Sequence, residues 1–196
     1  RAGGGIEANV GTTTLDGVEL SGNDAGQAPG NGGGLHLTGA GTVDVSQSTV
    51  TDNTAVEGGG LWNSSGGTLT VRGSSLAGNS ASGAEADQGG GAVYSDGGTT
   101  EVLGSELTDN SATGAAGSGG GILAKGGSLV VRRSVLDGND AQRAGGGIEA
   151  NTGSTEVFRT DLLGNDAGAA PGNGGGLHLT GVGTVDVSQS TVTDNT

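Results

Sequence analysis

Seven times in this chain a triple glycine is answered, 18 or 19 residues after its last Gly, by an asparagine. The triplets start at Gly3, Gly32, Gly58, Gly89, Gly119, Gly145 and Gly174, and the asparagines are Asn23, Asn53, Asn79, Asn110, Asn139, Asn165 and Asn195. Successive starts lie 26 to 31 residues apart, the period of one turn of a solenoid. A chain built this way grows by adding coils, so its 196 residues count coils rather than domains.

Within each unit the apolar residues keep step. Ile6, Leu35, Leu61, Ala92, Ile122, Ile148 and Leu177 follow the triplets directly. Short alternating stretches come next, such as Val43/Val45, Leu69/Val71 and Leu129/Val131, and alternation of this kind marks a strand with one buried face. A third apolar position follows at Leu20, Val50, Leu76, Leu107, Leu136, Leu162 and Val192. Strands this short are stable only if equivalent strands of successive coils pair in parallel, about 4.8 Å apart. The expected fold is therefore all-β: a parallel β-helix solenoid with three short strands per coil and about seven coils. Glycine suits the corners because it adopts positive φ and admits close backbone approach. Asparagine stacked once per coil predicts an internal ladder of amides that donate and accept between coils. The segments before each triplet vary in length and read as surface loops on one edge.

A longer period lies above the short one. Residues 1–54 and 143–196 are identical at 43 of 54 positions, so a five-coil super-repeat spans 1–142 and a second copy begins at 143. The chain reads as a single β-helix segment, 1–196, with uncapped ends, cut from a longer repeat array.

Units such as Gly32-Gly33-Gly34-Leu35 answered by Val50-Thr51-Asp52-Asn53 resemble the GGA[IL] and FxxN repeats of polymorphic outer-membrane proteins, with Gly for the Ala and Leu or Val for the Phe. More broadly they resemble right-handed parallel β-helix surface proteins. The resemblance covers the whole chain and implies extracellular adhesion or passenger-domain duty at a bacterial cell surface.

The composition narrows the partners. A net charge of −14, from 21 acidic and 7 basic residues, repels phosphate backbones, so nucleic acid is not an expected partner. No apolar run is long enough to insert this segment in a membrane. With no cysteine, no disulfide staples the fold. The calcium-binding nonapeptide of β-rolls is missing, and no cofactor is expected.

Two sets of side chains carry potential chemistry. Stacking of coils sets Glu7 beside His36 and Glu149 beside His178, a paired site that lacks both a third metal ligand and a nucleophile in register. Trp62, Val93, Leu123, Leu103, Val130 and Phe158 fall at outward positions and predict an apolar contact surface for a protein or glycan partner, or for self-association. The function expected is non-enzymatic, a structural or adhesive spacer of a large extracellular or cell-surface protein. Two alternatives stand beside it: a carbohydrate-binding or carbohydrate-cleaving β-helix of pectate-lyase-like type, and the subunit of a head-to-tail extracellular filament.

Overall fold

The computed structural model describes residues 3–27, 29–168 and 172–196. Its strands form a parallel β-helix. The first layer contributes Ile6–Ala8, Thr12–Asp16 and Glu19–Ser21, and each later layer repeats the pattern. Equivalent strands pair in parallel into three sheets, each seven strands deep. Seven layers at about 4.8 Å span roughly 30 Å.

The pairing registers follow the columns of the sequence. In the second sheet Thr13, Val43, Leu69, Thr100, Leu129, Thr155 and Val185 stack in one column, and Leu15, Val45, Val71, Val102, Val131, Val157 and Val187 in another. With Leu20, Val50, Leu76, Leu107, Leu136 and Leu162 of the third sheet, the apolar members of these columns from the first six layers build one continuous core. A short fourth sheet, beyond the three strands expected, pairs Thr54–Ala55, Ser80–Ala81, Ser111–Ala112 and Asp140–Ala141. Its alanines, just past the asparagines, are buried.

The asparagine ladder forms and is saturated. Asn79 donates from Nδ2 to Val50 O (2.8 Å) and to Asn110 Oδ1 (2.9 Å), and its own Oδ1 accepts from Asn53 N (3.1 Å) and Asn53 Nδ2 (2.9 Å). Two donors and two lone pairs are the whole capacity of an amide. The same exchange runs from Asn23 through Asn195. A second ladder, of hydroxyls, runs parallel to it. The backbone N–H of Ser48 donates to Ser74 Oγ, that of Ser74 to Ser105 Oγ, and that of Ser105 to Ser134 Oγ, at 3.1 to 3.2 Å. Each hydroxyl in turn donates to the carbonyl two residues back in its own layer, as Ser74 does to Arg72 O (2.9 Å).

One column differs from the sequence expectation. Val93, not Ala92, pairs with Leu61 and Ile122, and lies fully buried in the core. Ala92 takes the place that the third glycine holds elsewhere, with its N–H on Gly121 O (3.0 Å) and its carbonyl accepting from Leu61 N (2.8 Å). Gly89 is the extra residue, bridged to Ser118. The shift buries the larger Val93 side chain and turns Tyr94 outward over Trp62.

Candidate functional site

The outward column of the first sheet runs Glu7, His36, Trp62, Tyr94, Leu123, Glu149, His178. From His36 to Glu149 it is not a free surface. The loops that precede the glycine corners fold over it, so Trp62 keeps 9% of its surface, and Leu123 and Glu149 keep none. Tyr94 and Trp62 stack with rings 5° apart and centroids at 5.8 Å, and His36 meets Trp62 edge-on at 4.5 Å. Tyr94 donates from its hydroxyl to Asp87 O (3.1 Å), and Trp62 from Nε1 to Glu57 Oε2 (3.2 Å), which ties the loops down. Burial raises the Glu57 carboxyl above its ordinary value, with the Trp62 hydrogen bond opposing. Burial also raises the Tyr94 phenol, reinforced by Glu57, Asp96 and Asp87.

These positions correct the expected contact surface. Trp62, Val93 and Leu123 are interior: Trp62 and Leu123 form a small second core with Tyr94, and Val93 belongs to the main one. Leu103, Val130 and Phe158 remain half-buried on or beside the second sheet. Variable segments cover Trp62 and Leu123, whereas the one-residue shift at Ala92 turns Val93 into the main core.

The two Glu/His pairs, alike in sequence, differ in structure. Glu149 Oε2 lies 2.9 Å from His178 Nδ1, and Glu149 Oε1 accepts from Arg143 Nη2 (3.1 Å) and from the Thr180 hydroxyl. Arg143 also donates to Ser118 Oγ (2.9 Å) and Ala86 O (3.2 Å), so one guanidinium ties two neighbouring loops to the buried carboxylate. In the first copy Glu7 is exposed, and Thr38 donates instead to Ala8 O (3.3 Å). Arg1, the counterpart of Arg143, lies outside the described residues. Arg143 and Thr180 were not singled out from sequence, although both recur at the offset of the super-repeat.

Thr180, His178 and Glu149 look at first like a nucleophile, base and carboxylate. The geometry does not make a relay, because Thr180 Oγ1 (3.1 Å) and Glu149 Oε2 both approach the same ring nitrogen, Nδ1. A relay needs the hydroxyl on one nitrogen and the carboxylate on the other. Arg143 moreover compensates the charge that a cation would need, and among the described residues no group of three or more His, Asp or Glu could hold a metal ion. Chemically, the cluster can clamp loops.

Acidic side chains elsewhere are also engaged. Asp24 and Asp166 accept from Gly26 N (2.7 Å) and Gly168 N (2.8 Å), which is Asx-turn chemistry. On the second sheet Asp44 and Glu101 flank Arg72 at 3.2 and 3.9 Å, and Glu156 takes both Nε and Nη2 of Arg132, at 2.9 and 3.0 Å. Burial, then the charge of Asp166, raises the Asp140 carboxyl.

His36 yields a pH prediction. Burial lowers its pKa, with Glu7 opposing, and its Nδ1 has no hydrogen-bond partner. A histidine held neutral by burial contributes stability that is complete above its unfolded pKa of about 6.5. That stability is lost as pH falls below it, because the unfolded chain then binds a proton the folded one resists. Between about pH 7.5 and about pH 5 the melting temperature should fall further for the unmodified chain than for His36→Phe. Equal falls would show that His36 does not couple protonation to folding.

A family model described as "Right handed beta helix region" matches residues 2–196. No curated protein and no solved structure matches the chain.

Proposed function

The chain belongs to the right-handed β-helix family, and from that premise we propose that it is a structural, adhesive spacer, a stiff rod segment of a large bacterial surface or extracellular protein. The observation that carries this reading is the pair of side-chain ladders that run through the layers beside three parallel sheets. Bending such a rod would lengthen saturated, buried hydrogen bonds on its outer side, and each bond left unmade there is costly. The aromatic side chains support the same reading, since Trp62 and Tyr94 pack under loops rather than line a groove. The extracellular location rests on the likeness to polymorphic outer-membrane repeats. The partner would be a protein or glycan met along the faces or the loop edge.

The test is to extend the chain by one further five-layer unit and measure both forms by small-angle X-ray scattering. A spacer gains about 24 Å in length with an unchanged cross-section, five layers at about 4.8 Å each. A gain well below that, or a broadened cross-section, would mean that the layers do not form one rod. Incubation with acidic and neutral polysaccharides addresses the enzymatic alternative, and release of shortened products would replace the spacer reading with a carbohydrate-cleaving one.

A further inference from the structure

The connectors that lead into the glycine corners are unequal, and one short connector lies between two long ones. From Ala55 to the corner at Gly58 there are only Val56 and Glu57, whereas the connector before it runs from Gly26 to Asn31 and the one after it from Ser82 to Gln88. The long connectors leave a notch of about 540 Å³ above the short one, within the range of about 300–1,000 Å³ usual for small-molecule sites. Gly26 and Gln27 form one wall and Ser82, Ala84 and Gln88 the other, with Ala55 and Val56 at the floor. The walls are tied in place. Val56 N donates to Gly30 O (2.7 Å), and Val56 O accepts from Gly83 N (2.9 Å). Ser82 Oγ donates to Ala55 O (3.1 Å), and Gln88 Oε1 accepts from Glu85 N (3.2 Å).

A second short connector, Gln142-Arg143-Ala144, offers the comparison. There the Arg143 side chain crosses to Ser118 Oγ and Ala86 O. Val56 has no such reach, so the first gap stays open.

The polar groups of the notch come from stacking. Asp24, Thr54 and Ser80 form one outward column, one residue per layer at about 4.8 Å, because the alanine after each is buried. Asp24 Oδ1 accepts from Gly26 N (2.7 Å), which leaves Oδ2 to face the notch. Ser80 Oγ accepts from Ser111 Oγ (3.2 Å), which leaves its own proton to donate. Thr54 adds a hydroxyl, and Gln27 and Gln88 add amides. Among the described residues no Lys, Arg or His lines the notch, so an anion would find no partner there. No aromatic or long aliphatic side chain lines it either, so it lacks the anchor pocket that a peptide contact needs. What it offers is acceptors and donors at short spacing beside small apolar groups, and this suits a ring whose adjacent hydroxyls each donate and accept.

We propose that the notch binds a pyranose residue of a neutral glycan. Asp24 and Thr54 take adjacent hydroxyls of the ring, and Val56 and Ala84 lie against its C–H face. The inference rests on the adhesive reading above, which leaves the partner open between protein and glycan, and it assigns the glycan a place on the loop edge. Hydrogen bonds in so open a site are exchanged for bonds to water, so a single sugar binds with a Kd of about 1 mM or weaker.

NMR titration of the intact chain with the methyl glycosides of glucose, galactose, mannose and N-acetylglucosamine tests it. The expected result is saturation by at least one of them, with shifts at the amides of Gly26, Gln27, Thr54 and Gln88, and affinity about fivefold or more weaker in both Asp24→Asn and Thr54→Val. Asparagine keeps an oxygen for Gly26 N and valine keeps a β-branched residue in the strand, so both variants should melt as the intact chain does. The inference is overturned if none of the four glycosides saturates by about 100 mM, if the shifts fall elsewhere, or if neither substitution weakens binding. Tighter binding of lysine amide than of any glycoside would overturn it too, in favour of a cationic peptide. None of these outcomes touches the length gained per added layer, so the glycan site can fail while the spacer reading stands, and the reverse.

Discussion

Replacing Asn110 with alanine should lower the stability of the protein by about 3–6 kcal/mol, the largest effect expected of any single side-chain truncation in the chain. Asn110 accepts at Oδ1 from Asn79 N (3.0 Å) and Asn79 Nδ2 (2.9 Å), and donates to Leu76 O and Asn139 Oδ1 (both 2.9 Å). Both neighbouring asparagines are fully buried. Truncation strands two donors of the third layer and one carbonyl, each costing about 1–3 kcal/mol when no water reaches it. Asn110→Asp keeps the shape but turns a carboxylate oxygen toward Leu76 O and Asn139 Oδ1, so it should destabilise at least as much. Because layers touch only their neighbours, the damage should stay local in a solenoid. Hydrogen exchange should accelerate most in the third to fifth layers, around Leu76, Asn110 and Asn139. Urea melting of both variants gives the magnitude, and a loss under about 1 kcal/mol would mean the ladder is dispensable.

The glycine corners make the second large prediction, and it separates adjacent residues. A methyl group on Gly120 would lie 2.6 Å from both Asp140 C and Asp140 N and closer still to Asp140 O. These are backbone atoms of the same layer that cannot move without opening the corner. Gly120→Ala should therefore cost about 3 kcal/mol or more, or prevent soluble folding. At Gly121 a methyl would meet Gly147 O at 2.6 Å and Asn139 Cγ at 3.3 Å. Yet the equivalent place in the fourth layer already holds Ala92, buried and fully hydrogen-bonded. The layers can open enough to admit a methyl there, so Gly121→Ala should cost less than about 1.5 kcal/mol. Melting temperatures of the two variants decide the matter. Equal losses would mean that the position of Ala92 is no guide to the other corners.

The periodic part of this protein was legible in the sequence because stacking turns repetition along the chain into columns in space. Equivalent residues of successive layers share one environment, so the strand columns, the core and the asparagine ladder could be read from spacing alone. The hydroxyl ladder was present as the series Ser48, Ser74, Ser105 and Ser134, but its role shows only when each hydroxyl is seen to accept the next layer's N–H. What does not repeat was decided by tertiary structure. The run Gly89-Gly90-Gly91-Ala92 admits two settings one residue apart, and burial of Val93 with stacking of Tyr94 on Trp62 selects one. The loops that cover Trp62, Leu123 and Glu149 differ in length from layer to layer, so no column announces where they fold. Arg143, bonded to Ala86 across 57 residues of sequence, joins groups that only the winding of the chain brings together. Spacing determines which residues stand above one another, because the layer repeat is set by backbone pairing. Which of them face solvent depends on what the rest of the chain lays over them, and that is a property of the assembled coil.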